Sequence, residues 1–235
     1  MVNWGIIGYG RMGKEIEKHA KKRNHQISFI LDKQFQEGEI INSDVAINFS
    51  IPEAAVSNIK LALGKNIPVV SGTTGWLEDF DSIISFCQKK KGAFLYASNF
   101  SIGVNLFFKI NQYLAKLMKP YETDYNTDLK EIHHTNKIDA PSGTAITLAE
   151  EILKYYDYKE WSLQKEDDNI LHISSVRKDK IPGTHKVSYF SNVDEISIKH
   201  KAFNRDGFAF GAVIAAEWIL NKKGVFSMKD VLNIT

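Results

Sequence analysis

The chain has 235 residues, of which 43% are hydrophobic and 25% are charged, as is usual for a globular protein with a packed core. Thirty basic and 28 acidic residues give a net charge of +2, which is too balanced to attract a nucleic acid or an anionic membrane over a long range. We therefore expect neither partner, and the length allows one large domain or two small ones.

The single cysteine, Cys87, lies at helical spacing from Phe80, Ile83 and Ile84. This spacing predicts a buried apolar residue and neither a nucleophile nor half of a disulfide. The first residues, MVNWGIIGYG, contain no charged leader, cleavage site or apolar span of membrane length. Both features favour a protein of the reducing cytoplasm.

A glycine-rich motif, GYGRMG, follows an apolar run at residues 2–7 and precedes a helical pattern. A G-x-G-x-x-G motif between a strand and a helix is typical of dinucleotide binding, because its glycines permit a tight turn, close approach of a pyrophosphate and close helix packing. A second predicted strand, residues 26–31, leads to an acidic residue that could bind the adenine ribose. The alternative is a glycine-rich turn in a plain α/β fold. The residues predicted to contact the cofactor at this end of the sheet are Gly8, Tyr9, Gly10, Arg11, Met12, Gly13, Asp32 and Lys33.

Strands alternate with helices as far as residue 103, with further strands predicted at 44–49, 68–70 and 93–97. This alternation is typical of a Rossmann-type doubly wound parallel sheet, whose ligands bind beyond the carboxyl ends of the strands. The polar loops SGTTG and SNFSIG follow two of those ends, although each alone could be an ordinary turn. The residues predicted to line the nicotinamide half of the cofactor are Gly72, Thr73, Thr74, Ser98, Asn99 and Phe100.

The pattern changes after a predicted helix at 104–117, where Lys119 and Pro120 interrupt it. Strand-like runs at 171–176, 186–190 and 195–199 predict an α+β domain with a mixed sheet. The apolar run 207–220 predicts a buried helix that returns to the first domain. We therefore predict a dinucleotide-binding domain at 1–103, completed by about 212–235, and a second domain at 104–211.

The stretch 131–145, EIHHTNKIDAPSGTA, concentrates polar residues in one loop, where function tends to lie. Residues 125–134 are predicted to form a strand, in which adjacent histidines point to opposite faces. A metal site built from His133 and His134 is therefore not expected, since no acidic or cysteine ligand is obviously supplied. One face of the strand carries Leu129, Glu131 and His133, and the other face carries Lys130, Ile132 and His134.

A helix is predicted to start after Pro141, capped by Ser142 or Thr144. The free N–H groups of Ser142, Gly143 and Thr144 would then form an anion site for a carboxylate or a phosphate. The alternatives without a function are that the histidine is structural, that Lys137 is a solvated surface charge, and that the helix start is only a cap. The apolar face of this helix is predicted to carry Ile146, Ala149, Ile152 and Leu153.

Taken together, GYGRMG, SGTTGW, SNFSIGVN, EIHHTNKIDAPSGTA, PGTH and NRDGFAFGAVIAAEW resemble the 4-hydroxy-tetrahydrodipicolinate (dihydrodipicolinate) reductase family of lysine and diaminopimelate biosynthesis. The resemblance covers nearly the whole chain and is most specific in HHTNKIDAPSGTA. It implies an oxidoreductase that reduces a dicarboxylate, 4-hydroxy-tetrahydrodipicolinate, to tetrahydrodipicolinate with NADPH or NADH. It also implies a homotetramer, in which the second domain binds the substrate and forms the oligomer.

The resemblance further assigns roles to residues of the second domain. His133 corresponds to the proposed proton donor, Lys137 to its positively charged partner, and His134, Ser142, Gly143 and Thr144 to the residues that hold substrate carboxylates. The chemistry agrees, because hydride addition to a conjugated imine requires a proton from an acid that titrates near neutrality. A lysine can stabilise the negative charge of the transition state.

The choice between NADH and NADPH stays open. Asp32 favours NADH by accepting hydrogen bonds from the ribose hydroxyls, whereas Lys33 and Arg11 could neutralise a 2′-phosphate, so we expect dual use. Two other functions also stay open. Another two-domain NAD(P)-dependent dehydrogenase of amino or hydroxy acids would keep the glycine motif, and a non-catalytic NAD(P)H sensor would bind the cofactor without turnover.

Overall fold

The computed structural model describes residues 1–164, 167, 169–204 and 206–234. Its contacts divide the chain into two compact units, one formed by Met1–Ile102 with Asp206–Thr235 and the other by Gly103–Arg205. The sequence pattern predicted the return to the first unit at about residue 212. The return starts earlier because one continuous helix begins at Asp206, and Ala209 near its start is already buried in the core of the first unit.

In the part of the chain that the structure describes, strands and helices largely alternate in the first unit, and strands predominate in the second. The strands are β1 (Asn3–Ile7), β2 (Gln26–Leu31), β3 (Gln36–Gly38), β4 (Val45–Asn48), β5 (Val69–Ser71), β6 (Ala93–Tyr96), β7 (Asn126–His133), β8 (Glu160–Ser162), β9 (Ile170–Arg177), β10 (Gly183–Phe190), β11 (Glu195–Ala202) and β12 (Gly224–Phe226). The helices are α1 (Arg11–Lys22), α2 (Pro52–Gly64), α3 (Phe80–Lys89), α4 (Ile102–Met118), α5 (Gly143–Leu153), α6 (Asp206–Ile219) and α7 (Met228–Leu232).

The first unit contains a sheet with the order β12-β6-β5-β4-β1-β2-β3, in which β3 alone is antiparallel to its neighbour. Helices cover both faces, α1 and α6 in one core cluster and α2 and α3 in the other. The strand order reverses between β1 and β4, which is where a doubly wound sheet binds its ligand. The predicted Rossmann-type sheet is therefore confirmed.

The second unit contains a sheet with the order β11-β10-β7-β9-β8. Strand β10 is antiparallel to β7 and β11, whereas β9 is parallel to β7 and β8, so the sheet is mixed as predicted. Helices α4 and α5 pack against it around Leu129, Leu148 and Val187. The core side of α5 carries Ala145, Leu148, Ala149 and Ile152. Of the predicted face, half-buried Leu153 also packs against this core, whereas Ile146 is half-buried and does not belong to it.

Several element boundaries differ from the predictions for local physical reasons. Ile51 is the N-cap of α2, and the Ser50 hydroxyl donates to the Asn48 side chain at 2.8 Å. A 3₁₀ turn, Leu77–Asp79, precedes α3, so this helix starts at Phe80. Cys87 is buried as predicted, and burial raises the pKa of its thiol. In the described part of the chain, no helix has the length and apolar character needed to cross a membrane.

Candidate active site

The glycine motif forms the turn between β1 and α1. Gly8 has a φ of +89°, which glycine adopts without steric cost, and its N–H donates to the Leu31 carbonyl at 2.7 Å. A Cβ on Gly13 would lie 2.4 Å from the Gly8 carbonyl oxygen, whereas a Cβ on Gly10 would meet no atom within 4 Å. The first glycine therefore makes the turn, the third permits close packing, and the second leaves space for a ligand.

The start of α1 suits an anion such as a pyrophosphate. No side chain caps its first turn, and that turn contains no acidic residue. The first N–H groups of the helix therefore remain available as donors, with the positive end of the helix dipole behind them. Arg11 is exposed beside these groups, whereas Met12 is half-buried and packs against the core of the first unit.

Asp32 is fixed against the glycine motif. Its carboxylate accepts from the N–H of Tyr9 at 2.6 Å and from the N–H of Lys33 at 2.7 Å. The Tyr9 hydroxyl donates to Glu17, and this hydrogen bond raises the pKa of Tyr9 to about 12. The structure thus brings Asp32 next to the motif, as the sequence predicted from spacing alone.

The loop after β5 is held by packing and by side-chain hydrogen bonds of Thr73 and Trp76. A Cβ on Gly72 would lie 2.3 Å from the Phe49 ring, so only glycine fits there. Thr73 is buried, and its hydroxyl accepts from the N–H of Ser50 at 2.9 Å. Thr73 therefore braces the loop, and the exposed Thr74 is the member of the predicted pair that a ligand can reach.

The loop after β6 differs from the prediction at one position. Phe100 is only 1% exposed and packs on Phe49 within the core of the first unit. Its ring is therefore not available to a cofactor, because it fills the space between the sheet and α6. Ser98 is exposed, and Asn99 is half-buried and accepts from the N–H of Ser101 at 2.9 Å.

In the second unit, the register of the sheet places polar residues of three strands side by side near the carboxyl end of β7. Leu129 pairs with Val187 and Ile173, and all three are fully buried. Two residues further along, Glu131 pairs with His185 on β10 and with Ser175 on β9, and His133 then pairs with Arg177 on β9. One face of the sheet therefore changes from apolar to polar toward this end.

His133 lies on the same face of β7 as Leu129 and Glu131, as predicted; this face is buried, and His133 is 8% exposed. Its Nδ1 is 3.1 Å from the Pro182 carbonyl oxygen, and its Nε2 is 3.4 Å from both the Glu131 carboxylate and His185 Nε2. A Cβ on Gly183 would lie 3.0 Å from the His133 ring, so this glycine permits the close packing. His134 is half-buried, consistent with the predicted divergence of the two histidines.

Glu131 is the charged centre of this cluster, and its side chain is fully buried. Burial alone would raise the pKa of the Glu131 carboxyl, but hydrogen bonds outweigh burial and hold that pKa well below its usual range. The residues that supply these hydrogen bonds are His133, His185, Ser142 and Ser175. The carboxylate therefore stays ionised over the whole range in which an enzyme works.

Ser142 caps α5, as one of the two predicted alternatives. Its Oγ accepts from the N–H of Ala145 at 3.2 Å and lies 3.1 Å from His185 Nε2. Its own N–H donates to the Glu131 carboxylate at 3.1 and 3.2 Å. The prediction of a free N–H at Ser142 was therefore wrong, because a buried carboxylate already accepts from it.

The next two N–H groups of α5 differ from that of Ser142. Gly143 is exposed, and a Cβ there would meet no atom within 4 Å. Among the described residues, no partner accepts from the N–H of Gly143 or Thr144. The anion site predicted at this helix start therefore consists of these two groups.

Arg177 connects Glu131 to the loop that carries Lys137. Its guanidinium lies 3.2 Å from the Glu131 carboxylate and also donates to the carbonyls of Lys137 and Asp139. The Lys137 ammonium donates to the Asp139 carboxylate at 2.6 Å. This pairing holds the pKa of Asp139 below its usual value. Lys137 is therefore a cation whose position is fixed by Asp139, and it lies shortly before α5 in the sequence.

Three residues of this cluster were not predicted as site residues: Glu131, Arg177 and His185. Strand alternation did place Glu131 on the same face as His133, and His185 belongs to the PGTH motif. Arg177 had no comparable signal.

Glu131, His133 and His185 have ligand atoms within 4.8 Å of one another and could hold a metal ion, so the structure supplies the acidic ligand that the sequence lacked beside His134. The Arg177 charge on the same carboxylate disfavours a cation there.

Comparison with known proteins gives a consistent result over the whole chain. Residues 2–100 match the family described as dihydrodipicolinate reductase, N-terminus, and residues 103–232 match dihydrodipicolinate reductase, C-terminus. The chain belongs to the dihydrodipicolinate reductase family.

Individual members of the family agree. The 4-hydroxy-tetrahydrodipicolinate reductase of Christiangramia forsetii is 49% identical over 99% of this chain and 98% of its own length. That of Archaeoglobus fulgidus is 37% identical over 97% of this chain and 83% of its own length. The dipicolinate-bound dihydrodipicolinate reductase of Paenisporosarcina sp. TG-14 shares the fold, with a TM-score of 0.78 and 22% identity over 98% of this chain and 99% of that one.

Proposed function

We propose that this chain reduces 4-hydroxy-tetrahydrodipicolinate to tetrahydrodipicolinate with NAD(P)H, the reaction of its family in lysine and diaminopimelate biosynthesis. The observation that carries the proposal is the second unit's cluster: a buried histidine on a carboxylate, a lysine, and a helix start with two free N–H groups. A proton donor, a cation and an anion site are the groups that reduction of a dicarboxylate imine requires.

His133 is proposed as the proton donor. When bound, NAD(P)H would supply the hydride; the substrate ring loses its 4-hydroxyl group as water and gains this hydride and one proton. Because Nδ1 faces a carbonyl, which only accepts, the exchangeable proton belongs on Nε2. Nε2 lies 3.4 Å from the Glu131 carboxylate, which fixes the orientation of the ring.

Lys137 and the start of α5 are proposed to bind the substrate carboxylates, with His134 as a further contact. In the ligand-free chain the ammonium of Lys137 pairs with Asp139, whose side chain is 61% exposed. A substrate carboxylate can replace Asp139 on Lys137 because the exposed ion pair is weak. The N–H groups of Gly143 and Thr144 then receive the second carboxylate. Ser142 orients this start as its cap.

The cofactor is proposed to bind at the glycine motif of the first unit. The residues fit a dinucleotide, since Gly10 leaves open space, the start of α1 offers donors, and Asp32 is fixed beside the motif. Lys33 and Arg11 would meet a 2′-phosphate, and Thr74, Ser98 and Asn99 would line the nicotinamide half. These features support use of both NADH and NADPH.

We further propose a homotetramer that works in the cytoplasm and has no nucleic-acid partner. Apolar side chains exposed in the second unit support self-association, including Ile110 and Leu117 on α4 and Ile196 on the edge strand β11, which are 52%, 51% and 44% exposed. Light scattering after gel filtration measures the mass directly, and a monomer would contradict the proposal.

A coupled assay tests the activity. Purified chain is mixed with enzymatically generated 4-hydroxy-tetrahydrodipicolinate, and the absorbance of NADH or NADPH is followed. We expect substrate-dependent oxidation of the cofactor. Binding of NADH without turnover would instead indicate a nucleotide sensor. Turnover of another amino or hydroxy acid alone would indicate a different dehydrogenase.

A further inference from the structure

The Glu131 carboxylate contacts three parts of the proposed active site at once. It lies 3.4 Å from Nε2 of His133, it accepts from the N–H at the start of α5, and it pairs with Arg177. Ser175 adds a hydrogen bond at 2.6 Å. Buried carboxylates with so many donors are unusual outside functional sites, because burial of a charge is costly unless all its partners are in place.

Resting on the proposed function, we infer that Glu131 is a positioning residue of the reductase site, with Arg177 as its counter-charge. Glu131 orients the His133 imidazole and holds the start of α5 at a fixed distance from it. Arg177 extends the same arrangement to the loop of Lys137 through two backbone carbonyls.

The hydrogen positions of His133 follow from its neighbours. The Pro182 carbonyl can only accept, so Nδ1 carries a hydrogen in both protonation states. Nε2 is therefore the position that gains and loses a proton, and it faces the carboxylate of Glu131. Protonated, it donates a charge-assisted hydrogen bond, whereas a neutral ring turns a lone pair toward an anion. Nε2 is therefore the nitrogen that can pass a proton to substrate, and Glu131 fixes its position.

His185 does not compete as a second cation. Among the described residues its Nδ1 is buried without a partner, which places its hydrogen on Nε2, where Ser142 Oγ and Glu131 can accept it. Burial lowers the pKa of His185 and outweighs the opposite effect of Glu131. His185 therefore remains a neutral donor that helps to fix the carboxylate.

The other charges near His133 are balanced in pairs. On β9, Arg177 pairs with Glu131 through Oε1, while His133 faces Oε2. In the loop after β7, Lys137 pairs with Asp139. On β10 the titratable group facing His133 is His185. Among the residues that the structure describes, Glu131 is thus the anion in contact with the His133 ring.

The test replaces Glu131 by glutamine, which keeps the shape and removes the charge. We expect Glu131→Gln to lower kcat by about 10- to 100-fold, the effect of moving a reacting group by about an ångström. We also expect the alkaline limb of the kcat/KM profile to move about 1 to 2 pH units lower, because the imidazolium has lost its anion. The constant for NADH should not change.

Glu217→Gln is the matched control. Glu217 also binds an arginine and a histidine, with Arg23 and His25 both at 2.7 Å, but it lies on α6 in the first unit. It should lower stability without moving the pH profile. Glu131→Asp keeps the charge on a shorter side chain, so it should lower kcat while the alkaline limb stays near that of the wild type.

Glu131→Gln leaves Arg177 without its anion and could fail to fold, so the double variant Glu131→Gln/Arg177→Met decides the matter. Removing both members of a buried pair is far less destabilising than removing one. A folded double variant with reduced kcat and a shifted limb supports the inference. Wild-type kcat and pH profile, an equal shift in Glu131→Asp, or a double variant that does not fold would each overturn it. An inactive wild-type chain would instead overturn the proposed function.

Discussion

The anion site at the start of α5 can be tested at Gly143 without disturbing the fold. A Cβ at this position would meet no atom within 4 Å, so alanine fits without a clash. Replacing glycine in a helix is stabilising by about 0.4 to 1 kcal/mol, because the unfolded chain loses freedom. We therefore expect Gly143→Ala to leave the free energy of unfolding unchanged or to raise it by up to about 1 kcal/mol.

The same substitution, which does not destabilise the fold, should weaken the binding of substrate. A side chain at Gly143 stands where a carboxylate must approach the N–H group, and a hydrogen bond to a charged group contributes about 1.5 to 3 kcal/mol. Loss of that bond raises the apparent substrate constant by about 10- to 100-fold, since 1.4 kcal/mol corresponds to tenfold. The branched side chain of Gly143→Val should have a larger effect than alanine, and the constant for NADH should not change.

Gly64→Ala is the matched control, because Gly64 is also helical and a Cβ there would also meet nothing within 4 Å. It should stabilise the chain similarly and leave the substrate constant alone. Pyridine-2,6-dicarboxylate should inhibit competitively, and pyridine-2-carboxylate should inhibit more weakly. Equal inhibition by the two compounds, or unchanged substrate constants in both Gly143 variants, would mean that this helix start is only a cap.

The contacts within each of the two units lead to four further predictions. His133→Ala should lower kcat by about 10²- to 10⁴-fold and Lys137→Ala should also lose turnover, with NADH binding retained in a fluorescence titration; a wild-type rate in His133→Ala would remove its role. NADH and NADPH should both be used, with catalytic efficiencies within about a thousandfold, or about 4 kcal/mol, and a larger ratio in steady-state assays would contradict this. Asp139→Asn should tighten pyridine-2,6-dicarboxylate binding about fivefold by calorimetry, because an exposed ion pair contributes up to about 1 kcal/mol; unchanged affinity would mean that Lys137 does not bind the inhibitor. Folding lowers the pKa of Glu131, so its contribution to stability is present above pH of about 4.5 and is lost as the pH falls further. As the pH is lowered, the free energy of unfolding measured in urea should therefore decrease by about 1.4 kcal/mol per pH unit more in the wild type than in Glu131→Gln/Arg177→Met.

The sequence predicted those parts of the fold in which a local pattern carries the information. Residues 26–31 were predicted as a strand and form β2 with the same bounds. Alternation in β7 correctly placed Leu129, Glu131 and His133 on one face, which the structure shows to be buried. Three strands of three residues each, β3, β8 and β12, were missed, because so short a run has no period to detect. Tertiary pairing, and not local propensity, makes them strands.

One part of the candidate site could likewise be predicted from the sequence, and the other part could not. The stretch 131–145 could be singled out because it lies together in the sequence. Its partners could not, since Ser175 is 44 residues from Glu131 and Arg177 is 46, and only the parallel pairing of β7 with β9 brings them together. The position of the Phe100 ring could not be predicted for a related reason: its loop position suggested a ligand contact, but packing against Phe49 decided where the ring lies.

Glu131 shows why such a residue is not found from the sequence alone. A carboxylate in a strand is usually solvated, so alternation that places one on the buried face looks like an exception and not like a signal. In the folded chain the exception is explained by donors from β9, β10 and the start of α5, which together hold the charge where His133 needs it. A buried charge at the polar end of an apolar sheet face is therefore itself evidence of a site, because the fold must supply every one of its partners before the residue can be buried.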